Sequence, residues 1–109
     1  VLKRGEAIDA LDRAKEAGKT RFIGYSGNDE EALWAIESDR FDTLQTSLNI
    51  MDQRARTGLL SPAQARGMGN IIKRPIGNAQ WGTKSRSTDS SSMAPGEYFR
   101  RAQEMARMG

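Results

Sequence analysis

Thr20-Arg21-Phe22-Ile23-Gly24-Tyr25-Ser26 is the stretch on which the fold turns. It is short and rich in β-formers, and Gly27-Asn28-Asp29 follows at once as a turn with an N-cap. Glu30, Glu31, Ala32, Leu33, Trp34 and Ile36 then read as a helix, so the order is strand, tight loop, helix. Upstream, Glu6 to Ala17 has Ala7, Leu11 and Ala14 at the i, i+4, i+7 spacing of one helical face, widened by Ile8. Gly18 supplies a left-handed C-terminal cap.

Downstream the unit recurs. Phe41-Asp42 leads into Thr43 to Ile50, where Leu44, Thr46 and Leu48 alternate with Gln45, Ser47 and Asn49 in the two-residue period of a strand. Met51 to Gly58 is polar and loop-like. Leu59 to Arg66 is expected to be a short helix that tolerates Pro62 in its first turn, and Gly67 ends it. Gly69 to Arg74 reads as a third strand closed by Pro75. Strands separated by helical stretches predict parallel βαβ units with right-handed crossovers. The expected fold class is α/β, a partial (β/α)8 barrel of parallel strands alternating with helices.

The remainder is different in character. Gly82 to Ala94 contains Ser85, Ser87, Thr88, Ser90, Ser91 and Ser92 with few apolar residues, and is expected to be a mobile loop. Pro95 at N1 is expected to open a last helix with Tyr98, Phe99, Ala102, Met105 and Ala106 on one face. The domain reading is therefore 1–81 as partial barrel, 82–94 as loop and 95–109 as C-terminal helix.

Composition excludes several classes of chemistry. With no His, the common general base, the common metal ligand and every Ser-His or Cys-His pair are ruled out of this chain. With no Cys there is neither a disulfide framework nor a thiolate metal site, which fits a cytoplasmic setting. No metal and no membrane span are expected, since no apolar run approaches the roughly 20 residues a span requires. The 17 basic and 14 acidic residues give a net charge of +3, but the signs alternate along the predicted helices, so nucleic-acid binding is not expected. At 109 residues, against about 250 for a complete α/β barrel, the chain is expected to begin within a domain. A partial parallel sheet leaves edges and one face bare, so an isolated chain is expected to be marginal or aggregation-prone.

Ligands of parallel α/β folds collect at the C-terminal ends of the strands. The residues there are Ser26-Gly27-Asn28, then Gln45, Ser47 and Asn49, then Lys73 to Asn78. Hydroxyl and amide groups in the first two sets suit a carboxamide or a sugar, although satisfied or solvent-facing polar groups give the same spacing. Lys73-Arg74-Pro75-Ile76-Gly77 sets two cations beside a shaped backbone, which suits a phosphate and equally a solvated strand end. Trp34 and Trp81 are expected to pack in the core or at a hinge, and Ser26 has no nucleophile motif around it.

These residues resemble the aldo-keto reductase family. The run from Ala10 through Lys19-Thr20-Arg21-Phe22-Ile23-Gly24-Tyr25-Ser26 is similar to the helix and fifth strand of that family, where Lys-x-Arg-x-Ile-Gly-Val-Ser-Asn is characteristic. Phe41 to Ile50 resembles the sixth strand, and Ile71-Ile72-Lys73-Arg74-Pro75-Ile76-Gly77-Asn78-Ala79 the seventh strand with its loop. The resemblance spans about Glu6 to Trp81.

It implies an oxidoreductase that reduces aldehydes or ketones with NADP, with a small-molecule carbonyl as substrate. Ser26 and Gln45 would contact the nicotinamide carboxamide, and Arg74, Ile76 and Gly77 would line the pyrophosphate path. Lys73 stands where many members carry a Tyr that stacks on the nicotinamide. Gly27 replaces the Asn of a Ser-Asn pair, with Asn28 as the nearest substitute. The family's catalytic Asp, Tyr, Lys and His come from the first half of the barrel, so this chain is expected to carry no catalytic residue and to be inactive alone. That N-terminal half is its expected partner in the full protein. No match to the eighth strand is found, which implies poor cofactor affinity. The alternative is a small basic non-catalytic α/β module that binds RNA or a protein partner through Lys73, Arg74 and the last helix.

Overall fold

A computed structural model describes residues 5–79 and 96–108. Trp81, Pro95 and the Ser-rich stretch 82–94 lie outside the described residues. Helix α1 (Glu6–Glu16), strand β1 (Gly24–Ser26), helix α2 (Asp29–Glu37) and strand β2 (Thr43–Ser47) follow in order. A π-helical turn over Arg56–Leu60 runs into helix α3 (Ser61–Ala65), then strand β3 (Gly69–Lys73), and helix α4 (Glu97–Arg107) comes last. The strands form one sheet in the order β1-β2-β3, parallel at both pairings. This is the predicted partial (β/α)8 barrel.

One face of the sheet carries the core. Leu44 and Thr46 of β2 are fully buried, and Leu44 joins Ala32, Ala35 and Ile36 of α2, Leu59 and Ala63 in one apolar cluster. Trp34 packs against that cluster as expected. The other face is bare: Gly24, Ser26 and Ile71 are exposed, with Ile71 at 49%. Phe22 and Ile76 are also exposed, which is the uncovered apolar surface that a wall of a barrel presents when its other strands do not cover it.

Three sequence expectations need correction. The first strand is shorter than Thr20 to Ser26, because β2 begins at Thr43 and its first registered partner is Gly24. Before that point the Ile23 amide goes instead to the Asp42 carboxylate, at 2.9 Å. In α1 only Ile8 of the predicted stripe is buried, and Leu11 remains 40% exposed. The helix expected at Leu59 to Arg66 starts earlier, as a π-helical turn over Arg56–Leu60. Pro62 has no N–H to donate to the Gly58 carbonyl, and a widened turn accommodates that loss.

Helix α4 docks through Tyr98, Ala102 and Met105, which pack on Met51. These are the i, i+4, i+7 members of the predicted face; Ala106 is exposed. The helix is capped by Gly96 in a left-handed conformation at φ 79, which a residue without a Cβ adopts readily.

Candidate functional site

Register brings the predicted strand-end residues together. Ser26 pairs with Gln45 and Gln45 with Ile71, while Ser47 pairs with Lys73. Side chains alternate along a strand, so these residues share the face opposite Leu44 and Thr46. The Lys73 ammonium donates to Ser26 Oγ at 3.4 Å, and the Arg74 guanidinium donates to Ser47 Oγ at 3.1 Å. Gln45 is half-buried, and its side-chain amide has no hydrogen bond among the described residues. Burial, and then the charge of Arg74, lower the Lys73 amine from its ordinary range.

Arg74 adopts a left-handed backbone at φ 57, which turns the chain off β3. Asn49 fixes that turn by donating from Nδ2 to the Arg74 carbonyl at 3.0 Å. Asn49 therefore does not stand with Gln45 and Ser47 on an open face; it is buried, and its Oδ1 accepts from the Met51 and Asp52 amides. Beyond Arg74, Ile76 is 63% exposed. Gly77 is buried, and a Cβ there would run into Met51 Cε, so its contact is with the packing beneath α4.

The loop after β1 is shaped by Tyr25. A Cβ at Gly27 would fall 2.5 Å from Tyr25 Cε1 and 2.6 Å from its hydroxyl, which leaves no room for the Asn of the family's Ser-Asn pair unless the ring moves. Asn28, the nearest substitute, is held against β2. Its Oδ1 accepts from Thr46 Oγ1 at 3.2 Å and from the Ser47 amide at 3.0 Å, tying the start of α2 to β2.

Sequence reasoning missed Asp52. The Met51 to Gly58 segment is polar, but Asp52 is buried, bridged back to Asn49, and its carboxylate meets Arg54 through two bonds of 2.9 and 3.1 Å. Arg54 also reaches Asp29, and Arg101 of α4 approaches Asp52 at 3.8 Å. The available signal was the Asn-x-x-Asp spacing, which favours a side-chain-bonded turn. Burial alone would raise the Asp52 carboxyl; the hydrogen bonds and charge of Arg54, helped by Arg101, hold it below its ordinary value. Asp52, Asn28, Leu33, Thr46 and Leu59 also line a cleft of about 270 Å³. That cleft shares only Asn28 and Ser47 with the predicted strand-end residues. It opens where α2 meets the π-helical turn, whereas ligands of barrels bind above the strand ends, so Ser26, Gln45, Lys73 and Arg74 form the candidate site.

Acid should loosen the α4 dock. Hydrogen bonds from Arg100 and Arg101 lower the Glu97 carboxyl from 4.5 to about 2. A depressed carboxyl stabilises the fold above its unfolded value and loses that contribution as pH falls through the folded one. Asp52 shifts in the same direction. Amide-exchange protection of Tyr98 to Met105, corrected for intrinsic rates, should therefore fall between pH 5 and pH 2, the window of about 4.5 down to about 2 set by Glu97. Constant protection across that window would show that these pairs do not hold the helix.

A parallel α/β wall with polar groups gathered at its strand ends defines a barrel enzyme segment. Its sequence matches the Aldo/keto reductase family over residues 2–106, and the chain belongs to that family. The family is built on a (β/α)8 barrel, and its members are oxidoreductases that act with a nicotinamide cofactor on small carbonyl compounds. No curated protein matches the chain. Among the described residues there is no group of three or more acidic, His or Cys side chains that could hold a metal, and no helix long and apolar enough to cross a membrane.

Proposed function

We propose that this chain orients the nicotinamide of NADPH within a carbonyl reductase and does not itself supply the proton donor. The observation that carries this reading is the pairing of Ser26 and Gln45 across β1 and β2. A carboxamide both donates and accepts; a hydroxyl beside an uncommitted amide offers both complements. The residues present therefore fit the group. Arg74 and the exposed backbone past it would face the pyrophosphate, with Ile76 at the rim. When bound, the reduced dinucleotide supplies the hydride that reaches the carbonyl carbon.

Neither tyrosine suits the proton transfer. Tyr25 points to the helix-covered side, its ring 5.8 Å from that of Phe41, and burial followed by the charge of Glu31 raises its phenol further. Tyr98 is buried under α4. In this reading residues 1–81 belong to the barrel, 95–109 add a helix to its wall, and the family's catalytic Asp, Tyr, Lys and His come from the N-terminal half in a cytoplasmic enzyme.

Two measurements test the reading together. NADPH titration of the chain, followed by amide chemical shifts, should show weak saturable binding centred on Ser26 and Gln45, without turnover of an added aldehyde. Turnover by this chain would overturn the assignment of catalysis to other residues. Gln45→Ala should weaken binding about tenfold, the worth of one well-made hydrogen bond, with an unchanged circular dichroism spectrum. An unchanged affinity would remove Gln45 from the site.

A further inference from the structure

We infer that Lys73 makes the strand-end site discriminate between the redox states of a nicotinamide ring, favouring the neutral reduced form over the cationic oxidised one. This rests on the nicotinamide reading above and concerns the charge that the chain sets beside the ring. The ammonium donates to Ser26 Oγ at 3.4 Å, so it is placed at the hydroxyl assigned to the carboxamide. Among the described residues no carboxylate lies within ion-pair distance of it. The acidic groups nearest the strand ends are engaged elsewhere, Asp29 and Asp52 with Arg54. The adjoining Arg74 reaches Ser47 on the neighbouring strand and adds a second cation to the same rim.

A Tyr at this position, as many aldo-keto reductases carry, is neutral and presents a π face that tolerates or attracts a cationic ring. A half-buried ammonium repels one. At the effective dielectric of a protein surface, one unit charge a few ångströms from another changes affinity by roughly tenfold to a hundredfold. The neutral reduced ring escapes that repulsion, while the phosphates common to both forms contribute equally and cancel in the ratio. Oxidised cofactor would leave the site more readily after hydride transfer, while the transfer itself, in which positive charge develops on the ring, would gain nothing from the ammonium.

The test is the ratio of NADP+ to NADPH dissociation constants, read from amide shifts at Ser26 and Gln45 in the parent chain and in Lys73→Met, Lys73→Gln and Lys73→Arg. The expected result is a ratio well above one in the parent, falling about tenfold in the Met and Gln variants and retained in Arg. A merely structural Lys73 would shift both constants together. A ratio unchanged in Lys73→Met and Lys73→Gln, while Gln45→Ala weakens both forms, overturns the charge inference and leaves the nicotinamide reading standing. If Gln45→Ala weakens neither form, the nicotinamide reading fails and the inference falls with it.

Discussion

Leu44→Ala should cost about 3 to 5 kcal/mol, read as a lowered urea midpoint. Leu44 is fully buried at the centre of the middle strand, in register with Tyr25 on one side and Asn70 on the other. It belongs to a cluster with Ile36 and Leu59 in which Ala32, Ala35 and Ala63 are too small to fill the space its removal would open. Small neighbours on rigid helices collapse poorly, so the cost should fall in the upper part of the range for Leu-to-Ala changes. A sheet covered on one face only has little reserve against such a loss. Urea denaturation followed by circular dichroism gives the measurement, with Leu11→Ala as the control. Leu11 is 40% exposed, and its truncation should cost less than about 1 kcal/mol. Similar costs for the two variants would show that the core is not where the buried cluster places it.

That contrast also shows how far the sequence could be read. Leu44 and Thr46 were legible because strand alternation reports directly which residues face a helical layer. Leu11 was not, because periodicity identifies an apolar face without saying how much of it the rest of the chain covers. Gly77 was assigned to a ligand path on motif position alone, while its burial comes from Met51, whose approach depends on where α4 docks. Ser26, Gln45, Lys73 and Arg74 converge as expected because strand ends in a parallel sheet are brought together by register. Asn28 and Asn49 looked like further members, yet Asn28 is bonded to Thr46 and Ser47 of β2, and Asn49 to the Arg74 carbonyl and to the loop after β2. Partners 18 to 25 residues away in sequence are brought to these amides by the strand pairing, which the spacing of polar residues does not encode.

Asp52 shows the same limit from the other direction and supplies the second large effect. Asp52→Asn should destabilise the fold by about 2 to 3 kcal/mol, because it removes the charge that Arg54 and Arg101 share. The value should lie below the upper end for broken buried pairs. The carboxylate is only 4% exposed, but Arg54 is 52% exposed and Arg101 27%, so both cations can regain water once their partner is neutral. Arg101 also donates to the Met51 carbonyl at 2.8 Å, which should keep part of the α4 dock in place. The loss should therefore concentrate where Arg54 joins Asp29 at the start of α2 to the loop after β2. A double-mutant cycle with Arg54→Met separates the pair from the fold around it: the double variant should recover at least about 1 kcal/mol relative to the sum of the single changes, because no unpaired partner then remains. Additive costs would mean that Asp52 acts mainly through the turn it forms with Asn49, and that its charge does not hold α2 and α4 against the sheet.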